Sequence, residues 1–125
     1  METNSDHKSC LCCSIDYTVL ACSGACDLGL ITDSVARRLR DRKIRKMSCL
    51  AMAGAGIGID MEAFKTANIL VIDGCPTGCG KKILDREGFT NYHHLRITDL
   101  GFIKGETPVT EEVINAIYEK AMMIF

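Results

Sequence analysis

The segment ILVIDG, Ile69 to Gly74, is apolar at four consecutive positions before an acidic residue and a glycine end it. A run of that kind reads as a strand buried on both faces, and such strands belong to parallel sheets covered by helices on either side. The rest of the chain agrees. YTVLACSGA (Tyr17 to Ala25) is another short buried strand running into a turn at Gly24. KIRKMSCLAMAGAG (Lys43 to Gly56) offers a further strand ending near Cys49 to Ala53, and YHHLRITDLG (Tyr92 to Gly101) a fourth.

Helical patterns lie between these strands. DLGLITDSVARRLRDRK puts Leu28, Ile31, Val35 and Leu39 at helical spacing, with Arg37, Arg38, Arg40 and Arg42 on the other faces. DMEAFKTAN predicts a short helix with Met61 and Phe64 inward, and GCGKKILDREG another, stopped by Gly88 as a left-handed cap. TPVTEEVINAIYEKAMMIF predicts a terminal helix with Pro108 near its start and Thr110 as its cap, and with Val113, Ile114, Ile117, Tyr118 and Ala121 inward. Strict alternation of strand and helix implies right-handed crossovers and a parallel sheet. The expected fold is a single three-layer α/β domain, flavodoxin-like, with strand order 2-1-3-4. Residues 17–125 form the domain, and residues 1–16 are expected to be a flexible, cysteine-containing N-terminal segment.

Charge narrows the partners. Fifteen basic and sixteen acidic residues leave a net charge of −1, which provides no electrostatic footprint for a nucleic-acid backbone or an anionic membrane. The basic run from Arg37 to Lys46 reads as the solvated face of a helix. No apolar stretch approaches the roughly 20 residues of a membrane span, and the polar start METNSDHKSC lacks the apolar core of a leader, so a cytoplasmic location is expected. The apolar end AMMIF predicts docking onto the body of the protein or onto another chain, a protein partner or a second copy, through the terminal helix.

Eight cysteines are the exceptional number. In a reducing compartment they point to metal or thiol chemistry rather than to a disulfide framework. Cys22, Cys49 and Cys75 each fall at the carboxyl end of a predicted strand, and Cys26 and Cys79 at the starts of following helices. Ligands of open parallel sheets gather at that edge. The segment DGCPTGCGKK is not a phosphate loop, because Gly74 and Gly80 are one residue too far apart and Lys82 occupies the hydroxyl position. AGAGIG lacks the last glycine of a dinucleotide fingerprint, since Ile59 stands there. Cys75 and Cys79 are one residue further apart than a thioredoxin-type pair. Close to a helix start and joined by other thiols, they suit tetrahedral ligation of zinc or of an iron-sulfur cluster, and spacing does not choose between them. HKSCLCC, with Cys10, Cys12 and Cys13, is a tail or an accessory element. His93 and His94 point to opposite faces of a strand. Asp73 and Asp99 sit near strand ends as proton partners or turn-capping groups.

CSGACDLGLITDSVARRL, MSCLAMAGAG, VIDGCPTGCGKKILDREGF and LRITDLGFIKG follow one another in an order and spacing that resemble the DGC-domain family, named for an Asp-Gly-Cys triplet, here Asp73, Gly74 and Cys75. Zinc binding is ascribed to these small proteins. The resemblance covers nearly the whole chain after Tyr17 and implies zinc held by Cys22, Cys49, Cys75 and Cys79. Cys26 departs from the pattern, standing where the family more often has a small residue without a thiol. The expected function is that of a metal-binding module with a regulatory or carrier role. The alternative is a thiol or iron-sulfur redox protein of anaerobic-type metabolism.

Overall fold

The structure is a computed structural model, and it describes residues 16–56 and 66–125. Cys10, Cys12 and Cys13 therefore lie outside the described residues, as does the helix expected around Met61 and Phe64. Strand β1 (Tyr17–Ala21) leads into helix α1 (Asp27–Asp41), followed by strand β2 (Lys46–Met47) and helix α2 (Leu50–Ala55). Strand β3 (Asn68–Asp73) precedes helix α3 (Cys79–Arg86), strand β4 (His93–Arg96), a 3-10 turn (Ile97–Leu100) and helix α4 (Glu111–Met122).

The four strands are all parallel and lie in the order β2-β1-β3-β4, as expected for a single α/β domain. β1 pairs with β3 along the whole of β1, from Tyr17 opposite Asn68 to Ala21 opposite Ile72. Alternate residues of β3 face opposite layers. Leu70 and Ile72 join Leu28, Ile31, Val35, Ile117 and Tyr118 beneath α1 and α4. Ile69 and Val71 pack with Ala53, Leu84 and Phe89 beneath α2 and α3. Both faces of the central strands are covered, which is why Ile69 to Ile72 carry no polar alternate.

One element differs from its sequence reading. The second strand stops at Met47, and Leu50–Ala55 is helical. LAMAGA contains strong helix formers and no β-branched residue, so it coils once it leaves the sheet. Cys49 is therefore the residue that caps α2 and does not end a strand. Elsewhere the local signals hold. Gly88 has φ 87°, and beside it Phe89 N–H donates to Leu84 O at 2.9 Å and Gly88 N–H to Asp85 O at 3.2 Å. This is the paired closure expected of a glycine-terminated helix. The Thr110 hydroxyl accepts from Val113 N–H at 3.2 Å at the start of α4. In the apolar tail Ala121 is buried, Met122 and Ile124 pack against the core, and Phe125 meets Tyr17 edge to face at 6.2 Å. Met123 remains 78% exposed.

Candidate thiol site at the carboxyl edge

The Asp-Gly-Cys triplet is where the sheet hands over to the site. Asp73 ends β3 and is buried, yet its carboxylate is fully used. Oδ1 accepts from Gly80 N–H at 2.7 Å, and Oδ2 accepts from Lys81 N–H at 3.0 Å, so the side chain caps α3 from the strand below. His94 Nε2 lies 2.8 Å from Oδ2. A carboxylate at a helix N-terminus satisfies otherwise orphaned amides and complements the helix dipole.

The flanking glycines follow from this closeness. A Cβ on Gly80 would stand 2.5 Å from Val71 Cγ2 and 2.8 Å from Asp73 Oδ1. One on Gly74 would meet Leu28 Cβ at 2.9 Å, so only a bare backbone lets the end of β3 lie against α1. Gly78 caps α3 at φ 65°, a left-handed conformation that disfavours other residues. The turn is thus shaped to bring Cys75 and Cys79 to the edge of the sheet.

On the neighbouring strand, Cys22 N–H donates to Ile72 O at 3.0 Å, continuing the ladder one residue beyond β1. The Thr32 hydroxyl is 2.6 Å from Cys22 O and holds the turn against α1. Cys26 caps α1 without a side-chain hydrogen bond to the helix. Asp27 accepts from Gly105 N–H at 3.0 Å and Thr107 N–H at 3.0 Å, which ties the loop carrying Lys104 to the start of α1. Those backbone donors lower the Asp27 pKa and keep it ionised.

Two adjoining cavities result. The first, of about 410 Å³, is walled by Cys22, Cys26, Cys75 and Cys79, with Lys104 at its rim. The second, of about 550 Å³, is walled by Cys22, Cys49 and Cys79 and bordered by Arg37 and Arg40. Cys22 and Cys79 are common to both. All five described thiols are free, with Cys49 and Cys79 exposed and the others half-buried.

The thiols are not equivalent. Burial pushes the Cys22 pKa up to about 11, helped by the negative charge of Asp73 and of the Cys79, Cys75 and Cys26 thiolates. Cys75 is held below the ordinary thiol range by hydrogen bonds from the Thr77 side chain and backbone, with Lys104 adding its positive charge. Both shifts follow from what surrounds the charged form.

Of the residues singled out in the sequence, Cys22, Cys75 and Cys79 share a cavity, and Cys49 stands in the adjoining one. Cys26 belongs with the first group. Asp73 proves to be a capping group, and Asp99 is paired with Arg96 at 3.4 Å on the surface. Of the two histidines that the strand period sends to opposite faces, His94 is the one that meets the Asp73 carboxylate. Parity contained the clue, because Val71 is in register with His94 and Asp73 lies two residues on, facing the same layer. As they stand, no three His, Cys, Asp or Glu side chains among the described residues are gathered closely enough to hold an ion. The donor types fit a thiophilic metal, but a cavity of about 410 Å³ is far wider than a tetrahedron with sulfur at about 2.3 Å from zinc. Ligation would require the two turns to draw together.

These features define a class: an open parallel α/β domain whose strand ends present cysteine thiols. The chain belongs to the DGC-domain family, whose model, described as DGC domain, matches residues 18–121. It is also 31% identical over 87 residues to the "Anaerobic and virulence modulator AnvM" of Pseudomonas aeruginosa, a match that covers 69% of this chain and 66% of the relative. No solved structure matches the chain. Among the described residues, no helix is long and apolar enough to cross a membrane.

Proposed function

We propose that this protein binds one thiophilic metal ion, zinc, through cysteine thiolates at the carboxyl edge of its sheet and acts as a regulatory module. The observation that carries this reading is the shared cavity of Cys22, Cys26, Cys75 and Cys79, to which two strand-helix turns contribute. Thiolates are the ligands that select zinc and other soft ions. The site also offsets their charge. The N-terminus of α1 follows Cys26 and that of α3 begins at Cys79, while Lys104 stands at the rim. Hydrogen bonds from Thr77 and the charge of Lys104 favour the ionised form of Cys75 that a metal requires.

When bound, zinc would supply a fixed tetrahedral centre that cross-links the turns. Cys22 must give up a tightly held proton to join it, so ion capture is coupled to proton release. A regulatory rather than a carrier role is favoured by the relative, whose name describes a modulator. The thiol-redox or iron-sulfur reading keeps one specific support. An acidic thiol, Cys75, and a proton-retaining one, Cys22, border the same cavity, which is the asymmetry of an attacking and a resolving cysteine.

Metal analysis and a visible spectrum of protein purified without air separate the two. A colourless protein with one equivalent of zinc is the expected result. Brown protein containing iron and sulfide, or metal-free protein that cycles between dithiol and disulfide, would overturn it.

A further inference from the structure

Helix α4 buries one face and leaves the other without a partner. Ile114, Ile117, Tyr118 and Ala121 enter the core, whereas Glu112, Ala116, Glu119 and Lys120 are exposed. At 3.6 residues per turn these exposed positions and Met123 fall in one stripe about 100° wide, opposite the buried face. Ala116, Glu119, Lys120, Met122 and Met123 line a shallow groove of about 680 Å³ there. We infer that this face of α4 is an interface for a second copy of the chain, packed antiparallel about a two-fold axis at Ala116. The inference stands independently of the metal-binding reading.

The chemistry of the stripe is palindromic. Glu112 and Lys120 lie four residues to either side of Ala116, and Val109 and Met123 seven residues to either side. A two-fold contact sets each residue against its mirror position in the second copy. Glu112 of each copy then meets Lys120 of the other, and Met123 meets Val109 at both ends. Val109 is 40% exposed and Met123 78%, so the contact covers two apolar side chains that the single chain leaves in water.

Charge also fixes the direction. A parallel pair would set Glu112 against Glu112 and Lys120 against Lys120, and like charges repel. Within one chain Glu112 and Lys120 are about 12 Å apart along the helix and cannot pair with each other. Neither side chain has an ion-pair or hydrogen-bond partner among the described residues. Ala116 at the crossing is small enough to let two helices approach closely. The chain enters α4 from Thr107, bound to Asp27 at the carboxyl edge, and leaves it at Ile124, bound to Arg45 at the amino edge. Antiparallel packing therefore puts the two thiol edges at opposite ends of the dimer and leaves both open. One helix face buries less than the roughly 800 Å² per partner of a standard interface, so association is weak, with a dissociation constant on the order of 10 to 100 µM.

Sedimentation equilibrium of the full chain, from about 5 µM to about 1 mM, tests the assignment. Reductant and chelator are present throughout, which removes species bridged by disulfides or metal. The parent chain should pass from monomer to dimer across that range. Glu112→Lys and Lys120→Glu each place like charges at both contacts and should weaken dimerisation by roughly tenfold or more, with circular dichroism unchanged. Mixed in equal amounts, the two variants pair Lys with Glu at both contacts, and the dimer should return to within about threefold of the parent affinity. A chain that stays monomeric throughout overturns the inference and gives the face to a different protein. A dimer indifferent to the single variants, or a mixture that fails to associate, overturns it as well.

Discussion

The two edges of the sheet are finished in opposite ways. At the amino edge Arg45, 3% exposed, donates to Thr18 O at 3.0 Å, Asn68 O at 2.9 Å, Asn68 Oδ1 at 3.0 Å and Ile124 O at 3.0 Å. Its guanidinium also lies 5.4 Å from the Tyr17 ring centroid, so one side chain ties β1, β3 and the end of α4 together. Burial lowers its pKa, because the hydrogen-bonding partners are neutral and the charge is taken out of water. Its Nε has no partner among the described residues. At the carboxyl edge, Asp73 is the only comparably buried charge among the described residues, and it secures the start of α3. Cys75, by contrast, is hydrogen-bonded within its own turn, to the Thr77 side chain and backbone, and ties no distant elements together. The contrast teaches that one edge is closed by polar side chains that satisfy backbone groups, which leaves the other free to present reactive groups.

The largest effect is expected from breaking the closed edge. Arg45→Leu leaves the Thr18, Asn68 and Ile124 carbonyls short of a donor and should cost about 3 kcal/mol in urea unfolding. Zinc binding by the folded fraction should be unchanged. A loss of metal affinity at full folding would show that the two edges are coupled.

Gly80→Ala attacks the hinge between core and site. Its new methyl must displace Val71 or Asp73, and a loss of about 2 kcal/mol in the unfolding free energy is expected. Asp73→Asn should cost somewhat less, about 1 to 2 kcal/mol, since it keeps the shape and one acceptor of the cap. If both variants are as stable as the parent chain, the contacts around the triplet are looser than described.

Replacing Cys75 and Cys79 together by Ser sharpens the comparison from the other side. Metal binding should disappear while circular dichroism still reports a folded α/β protein, with a loss of about 1 to 2 kcal/mol. Global unfolding of that variant would make the ion a structural staple and erase the distinction between the edges.

The smallest effect is on the pH dependence of the metal-free protein. Cys22 titrates near 11 in the fold, against the ordinary 9.0, so between these values the unfolded chain holds fewer protons. Stability therefore falls as pH rises through that window. Alkylation should find Cys75 faster than Cys22 at every pH below 9, with Cys22 slow until well above pH 9. Equal rates at neutral pH would mean that the environments of the two thiols do not differ.

Local patterns were enough for the four strands and their order, though not for the end of the second strand. ILVI announces a doubly covered strand because all four positions are buried and apolar there, and Gly88 and Thr110 announce helix ends because their chemistry acts within a single turn. The alternation of strand and helix, with the rule of right-handed crossovers, carried the 2-1-3-4 sheet and placed five cysteines toward one edge. Reading stopped where residues distant in the chain had to be set against one another. Arg45 looked like part of a solvated basic face until the tertiary structure drew it under the ends of β1, β3 and α4. His94 became the partner of Asp73 only through the register of β3 with β4. Which cavity Cys49 and Cys26 line was hidden for the same reason: it depends on how far a two-residue strand and a short helix carry one and how a pinned turn holds the other. Spacing along the chain determines which residues can reach an edge, and packing decides which of them meet there.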